Sequence, residues 1–548
     1  MKNFFLEKKN KLHKTFAVTI FFVTLLTISS AIFDEYGISI DEAQNRSLGF
    51  MNLKYIYQVF FPSKVLAIDS IISVPELHEF HSKSHGAAIV TLFAYIESAF
   101  NIVETKKLYL LRHYLCFVLF FISVYFFYLI GKFRYNDWRI GLLGSVFLVL
   151  SPRIFAESFY NIKDIVFMSL FIISLYCCLK FINKPNIKHA IFFSLTSAIA
   201  TDVRIMGIML TVLVIFFLIF MSFRQEKFIK NHLTSIIIFL IFTPIFIVIF
   251  WPYLWQNPPI LFLEAFKNFS SFWFNIQSLY FGNYIMAQDV PWHYPLVWIT
   301  ITTPIIYLVL FIFGFYICMT RFLKRLVNLD EKKDLNDLWR GKKEMCDLLI
   351  LLSFLIPIFL VMILSSTLYD GWRQLYFLYP SFLLLSIYSF TKIDIFLKKR
   401  NLNKYFLILV IILLISNVFN MAKMHPYQNV YFNYLAGKNP EKNFTADYWG
   451  LSNKQAMEFI LSTDSDEIYK IYPASNTDLY LSTLIFSEDE KKRIEIVYEK
   501  SEANYIISNG IYWGGNPKDD FAIIPENFKL LKEIKAGRTK IISIFKKI

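Results

Sequence analysis

LTSIIIFLIFTPIFIVIFW, residues Leu233–Trp251, runs for nineteen positions without an ionisable side chain. A helix of that length rises about 28 Å, close to the thickness of a bilayer's hydrocarbon core. Runs of this kind recur along the 548-residue chain. Eleven candidate spans are read at 15–33, 108–130, 138–153, 164–181, 189–202, 205–222, 233–251, 296–319, 347–366, 373–390 and 405–421. The stretch 189–222 is too long for one span and is interrupted by Asp202 and Arg204, so it reads as a hairpin with those charges at its tip. Composition agrees: 56% of residues are hydrophobic, with 60 Phe and 32 Tyr, against ~45–50% apolar residues in soluble domains. The fold class expected is a polytopic α-helical membrane protein of about eleven transmembrane helices.

Charge orients the spans. Lys and Arg collect in cytoplasmic loops. With a cytoplasmic N-terminus, those loops carry Lys8, Lys9, Lys11 and Lys14, then Lys132, Arg134 and Arg139, then Lys180, Lys184 and Lys188. Arg224, Lys227 and Lys230 follow, then eight Lys/Arg in 320–346, and finally Lys392, Lys398, Lys399, Arg400 and Lys404. The opposite orientation fails in every loop. The net charge of +14 therefore belongs to the membrane part and does not require a nucleic-acid partner; from Glu441 onward, 15 basic residues face 17 acidic ones. The first span resembles a signal peptide without a small-residue cleavage site, so a retained anchor is expected.

Three extracytoplasmic pieces follow: a large first loop, 34–107, a second, 251–295, and the tail from 422. The transmembrane domain is thus 1–421. Residues 422–548 are read as a small α/β domain, from strand-like runs at Ile468–Tyr472, Ile494–Tyr498, Tyr505–Ile507 and Ile541–Phe545 and an amphipathic stretch at Lys454–Leu461. Five cysteines, Cys116, Cys177, Cys178, Cys318 and Cys346, lie in apolar runs or cytoplasmic loops, with neither a disulfide framework nor zinc-ligand spacing.

The unusual polar residues gather at the outer ends of the spans. Asp41-Glu42 follows the first span. Arg153, Glu157, Asn161, Lys163 and Asp164 fill the loop between the third and fourth. Asp202 and Arg204 tip the hairpin, and Asp289 and His293, with Trp292 and Tyr294, precede the eighth span. Tyr369, Asp370 and Arg373 precede the tenth, and His425 follows the eleventh; His85 lies in the first loop. Ionisable groups are costly in a bilayer, and their convergence from distant loops on one face marks a site. Each also has a plainer reading: Asp41-Glu42 as a helix start, Asp164 against a helix dipole, Arg204 and Arg373 reaching lipid phosphates, His293 in an aromatic belt, and His85 as an ordinary loop histidine.

The pattern resembles the C-type glycosyltransferases, nearest to family 39, which holds protein O-mannosyltransferases and the aminoarabinose transferases of lipid A. The stretches that carry the likeness are IDEAQNRSLG (Ile40–Gly49), SHGAAI (Ser84–Ile89), SPRIFAESFYNIKDIVF (Ser151–Phe167) and ATDVRIMGI (Ala200–Ile208). WPYLWQNP (Trp251–Pro258), DVPWHYPLVWITITTP (Asp289–Pro304), YDGWRQLYFLYP (Tyr369–Pro380), HPYQNVYFNYLAG (His425–Gly437) and DYWGLSNKQA (Asp447–Ala456) continue it in order. Gln374 departs from the family, which has a histidine after the arginine matching Arg373.

The resemblance implies an inverting transfer of a sugar from a polyprenyl-phosphate donor to a hydroxyl of an envelope acceptor (lipid, glycan or protein) at the outer face of the cell (inner) membrane. It implies Asp41 as base, Glu42 as its orienting partner or a substrate contact, and Asp164 as the second acid of the site, binding sugar or a metal. Arg204 and Arg373, with Lys163, would hold the donor phosphate. His85, Arg153, Glu157, Asp202, Asp289, His293, Tyr369, Asp370 and His425 would contact substrate. Members of that superfamily differ in metal dependence, so a divalent metal is left open. The rival readings are a transporter or flippase, a polymerase or ligase of lipid-linked glycans, and a non-catalytic partner protein.

Overall fold

The protein's computed structural model describes residues 2–63, 73–225, 227–270, 275–327, 338–463, 468–515 and 517–548. Part of the basic loop 320–346, residues 328–337, lies outside them, as do the side chains of Lys8, Lys9 and Lys11. Among the described residues nine helices are long and apolar enough to cross a membrane, and a tenth if one bent pair counts as a span. The bent pair corrects the third expected span. Trp138–Val149 ends, Pro152 opens a second leg, Pro152–Tyr160, and the two meet at 71°. Proline has no N–H to continue the first ladder and is preorganised to start a helix. The fifth expected span is Ile187–Val203, a 17-residue helix that runs back along Asp164–Asn183 and brings Arg204, just past its end, to Asp164. The run expected at 296–319 divides near Pro304 into Tyr294–Thr302 and the crossing helix Ile305–Val327.

Helices pack closely where small residues allow it. A Cβ on Gly314 would meet the Leu385 carbonyl oxygen at 2.0 Å, so glycine lets Ile305–Val327 lie against Tyr379–Lys398. Gly141 opposes the Tyr128 carbonyl in the same way, at 2.5 Å. At one end of the bundle Arg134 grips Asp347 through two bonds, at 2.5 and 2.7 Å, and Arg321 adds a third at 3.0 Å. These buried cations are paired, as a low-dielectric interior requires. The other end carries the polar cluster described below. Ile408, Ile411 and Ile415 of Asn403–Met424 are exposed apolar residues, as a lipid-facing helix needs.

The C-terminal sheet has five strands. β1 (Gln277–Tyr280) and β2 (Asn283–Met286) form a separate antiparallel hairpin in the second loop. The sheet itself holds β3 (Tyr469–Pro473), β4 (Ile494–Ile496), β5 (Tyr505–Ser508), β6 (Phe528–Ala536) and β7 (Thr539–Lys547), in the order β4-β3-β5-β7-β6. β3 pairs in parallel with β4 and β5; the pairs of β7 with β5 and β6 are antiparallel. Ile471, Ile507, Ile542 and Ile544 fill its core, and Ser452–Thr463 packs on it. The segment before that helix makes bonds to the bundle as well. Asn433 donates to the Thr300 and Thr303 carbonyls at 2.6 and 2.8 Å, and the Tyr431 carbonyl accepts from Arg153 Nε at 3.0 Å.

Candidate active site

Four chain segments meet at the polar end of the bundle. Asp41 stands at the N-cap position of the helix Glu42–Phe60, just after the first span, with its carboxylate free of the helix N–H groups. Asp164 opens Asp164–Asn183, where a carboxylate favours the helix dipole. Arg204 follows the end of Ile187–Val203, and Arg373 opens the turn leading into Tyr379–Lys398. Arg373 Nη1 donates to Asp41 Oδ2 at 2.9 Å and to Asp164 Oδ2 at 3.2 Å. Arg204 pairs with Asp164 Oδ1. Asn161 Nδ2 adds a bond to Asp164 Oδ2 at 3.2 Å, and its Oδ1 accepts the Asp164 N–H at 2.8 Å.

The two carboxylates therefore stand differently. The Asp164 side chain is 0% exposed and both its oxygens are engaged. Asp41 is 32% exposed, and Arg373 holds only its Oδ2. Glu42 turns away from the cleft: its Oε1 accepts the Ser39 N–H at 2.6 Å and its Oε2 meets His113 Nε2 at 3.0 Å. That pair fixes the start of the helix that follows Asp41.

Lys163 completes the cation set. Its ammonium makes no hydrogen bond among the described residues and lies in the field of Arg204, Asp41, Asp164 and Arg373. Burial, then the Arg204 charge, push it down to about 7. Burial, then Lys163, also hold the His85 imidazole well below its usual range, so His85 borders this cationic corner in neutral form. Tyr369 and Trp449 lie against the Arg373 guanidinium, 5.0 and 4.7 Å from ring centre to Cζ, and restrain its plane. Asp370, in a left-handed conformation with φ 53°, faces the C-terminal domain and accepts from Trp513 Nε1 at 3.1 Å. Burial pushes this carboxyl up to about 7, against the pull of Arg373 and the indole bond.

The remaining expected residues are placed behind or away from the cleft. Glu157 is fully buried and accepts from Asn161, Tyr376 and Tyr448, at 2.7, 2.7 and 3.2 Å. Arg153 is buried over the Phe432 ring. The Asp202 carboxylate accepts the Ala87 and Ala88 N–H groups at 3.4 and 2.8 Å, capping the helix Ala88–Ala99 from outside. His293 bonds the Tyr280 hydroxyl at 2.8 Å, and His425 bonds Glu35 at 2.8 Å. Asp289 is exposed in a turn. None of these last three touches the Asp41–Arg373–Asp164 group. Sequence reasoning missed Trp449, Tyr448 and Tyr376 as site residues, since uncharged aromatics carry no signal of their own in a chain this rich in them. Among the described residues no group of three or more His, Cys, Asp or Glu is placed to share a metal. The point where Asp41 and Asp164 converge holds the Arg373 guanidinium, so the residues as placed do not fit a divalent ion there.

Comparison with known proteins bears on this end of the bundle. Residues 89–251 match the family model described as dolichyl-phosphate-mannose-protein mannosyltransferase. The match spans Asp164, Asp202 and Arg204, while Asp41 and Arg373 lie outside it. No curated protein matches the chain. Solved structures similar to it include the Archaeoglobus fulgidus oligosaccharyltransferase in the apo form, at 11% identity and TM-score 0.46, covering 89% of this chain and 69% of that one. They also include ArnT from Cupriavidus metallidurans bound to undecaprenyl phosphate, at 10% identity and TM-score 0.46, covering 97% of this chain and 98% of that one.

Proposed function

We propose that this chain, a membrane glycosyltransferase of the C-type superfamily, moves a sugar from a polyprenyl-phosphate-linked donor to a hydroxyl acceptor in one inverting displacement. The observation that carries the reading is the asymmetry of the two carboxylates. Asp41 has one oxygen fixed by Arg373 and one side open to the cleft, whereas Asp164 is enclosed. A base must reach the acceptor proton while its own position is held. In the proposed step the acceptor oxygen attacks the anomeric carbon, its proton passes to Asp41, and the bond to the phosphate oxygen breaks with its electron pair. The polyprenyl phosphate that leaves gains negative charge.

Three cations, Arg204, Arg373 and Lys163, surround two carboxylates at this point. The surplus cation suits a phosphate, and donors placed where charge develops favour departure. Lys163, without a hydrogen bond among the described residues, is the group available to the leaving oxygen. The family description, which names a lipid phosphate sugar, supports the same donor class. Orientation follows from charge: the helical runs that begin at Asp164 and Arg373 carry Lys180 and Lys398 at their other ends, which favours an extracytoplasmic site, a cytoplasmic N-terminus and the cell membrane as location.

The test is release of free polyprenyl phosphate by the purified protein in lipid, offered a panel of polyprenyl-phosphate sugars with and without a crude envelope extract. Release that depends on the extract is expected. Donor binding without release from any donor would turn the reading toward a transporter.

A further inference from the structure

A cavity of about 350 Å³ lies where the β1–β2 hairpin, residues 441–446 and the C-terminal sheet meet. Its volume falls in the range of small-ligand sites, roughly 300–1,000 Å³. Tyr284, Phe444, Tyr512 and Trp513 give it aromatic walls and Gln277 gives it a side-chain amide, while Ser508 and Asn509 on the same wall bond to the Ala474 and Asp447 carbonyls. Glu441 also lines it, with Oε2 enclosed and lacking a hydrogen-bond partner. Ring faces beside an amide and a free carboxylate oxygen suit a pyranose. The sugar's C–H face lies on the negative face of a ring while its hydroxyls meet the polar groups.

A peptide fits this cavity less well. Of the strands that line it, β5 and β7 are each paired on both sides within the sheet, and β1 lies between β2 and residues 443–445, so none of these three offers a free edge to an added strand. The cavity is also joined to the cleft. The Gln277 N–H donates to the Trp513 carbonyl at 2.8 Å, and Trp513 Nε1 donates to Asp370, three positions before Arg373. Asp370 N–H in turn donates to Ser278 Oγ at 3.2 Å.

We infer that this cavity is a subsite for a glycan acceptor, holding one sugar unit of it while another presents its hydroxyl to Asp41. The inference rests on the glycosyltransferase reading above, and it names the acceptor as a carbohydrate rather than a protein. Trp513 then reports occupancy to the loop that carries Arg373.

An array of defined oligosaccharides, probed with the protein in lipid nanodiscs and no donor present, tests it. Retention of particular glycans is expected, competed by the same sugars in solution and reduced at least about tenfold, a cost of roughly 1.4 kcal/mol, in both Tyr284→Ala and Gln277→Ala. Thermal unfolding of both variants confirms that they are folded; Gln277→Ala keeps the backbone bond to Trp513. Absence of retention, retention that neither substitution alters, or cavity-dependent binding of a Ser/Thr peptide instead would overturn the inference. Because the array needs no turnover, glycan retention beside absent polyprenyl-phosphate release would reject the transferase reading and leave the cavity as a glycan site.

Discussion

Asp41 and Asp164 share one nitrogen: Arg373 Nη1 lies 2.9 Å from an oxygen of the first and 3.2 Å from an oxygen of the second. A loop acid, a helix-start acid and a cation from the far half of the chain thus become one unit. The Arg373 and Asp164 side chains are 6% and 0% exposed, so that pair is shielded from screening by water and salt, while Asp41 stays open on one side. Trp449 lies 4.7 Å from the same guanidinium, which ties the segment after the last span to this group.

Arg373→Ala leaves Asp164 with Arg204 and Asn161 and frees Asp41. Truncating one partner of a buried pair costs on the order of 3–5 kcal/mol. A lower unfolding temperature and loss of turnover are expected together. Arg373→Lys keeps the charge but not the planar fork, so it should recover stability more than turnover. Thermal unfolding in lipid beside the release assay checks this; a Lys variant with full turnover would count against a geometric role for the guanidinium.

Lys163 is expected to make donor binding depend on pH. Burial, then the Arg204 charge, push its ammonium down to about 7. Below that pH the cation is present; above it the cation is lost, and the KM for donor should rise by up to about tenfold per pH unit. Bound phosphate favours the charged form, so kcat should change less than KM. Lys163→Met should raise KM at low pH and flatten the profile. A KM that stays constant from pH 6 to 8.5 in the unsubstituted protein would remove Lys163 from donor binding.

Asp202 acts on architecture. Its carboxylate satisfies two N–H groups at the start of Ala88–Ala99, and loss of such a cap costs ~0.5–2 kcal/mol. Asp202→Ala should lower the unfolding temperature while the folded fraction keeps its turnover. Gly86→Ala should be far worse, because a Cβ there would meet the Asp202 backbone oxygen at 1.3 Å. Unfolding curves normalised to turnover separate the two effects; an Asp202→Ala protein of full stability and no turnover would return this residue to substrate contact.

Much of the site was legible because charge at a span end has few uses. Asp41, Asp164, Arg204 and Arg373 were marked by that cost alone, and the structure joins all four. Which charges touch was not legible. Asp202 and Arg204 are two positions apart, yet one caps a neighbouring helix and the other pairs with Asp164. The chain turns between them, where Ile187–Val203 ends. Four strand-like runs of the tail coincide with β3, β4, β5 and β7. β6 was missed because FKLLKEIKA alternates poorly, and only its pairing with β7 across the left-handed Gly537 turn makes it a strand. The second leg, Pro152–Tyr160, was missed because Arg153 and Glu157 read as loop charges once the apolar run stops at Leu150, although the proline carries the signal of a helix start.

The most direct test of the central claim compares Asp41→Asn with the unsubstituted protein in the polyprenyl-phosphate release assay, with donor binding measured on both. The account predicts that release falls by about 10²–10⁴, the usual worth of a positioned general base, while donor binding persists. Release that survives the substitution at full rate would contradict it and move the base away from Asp41.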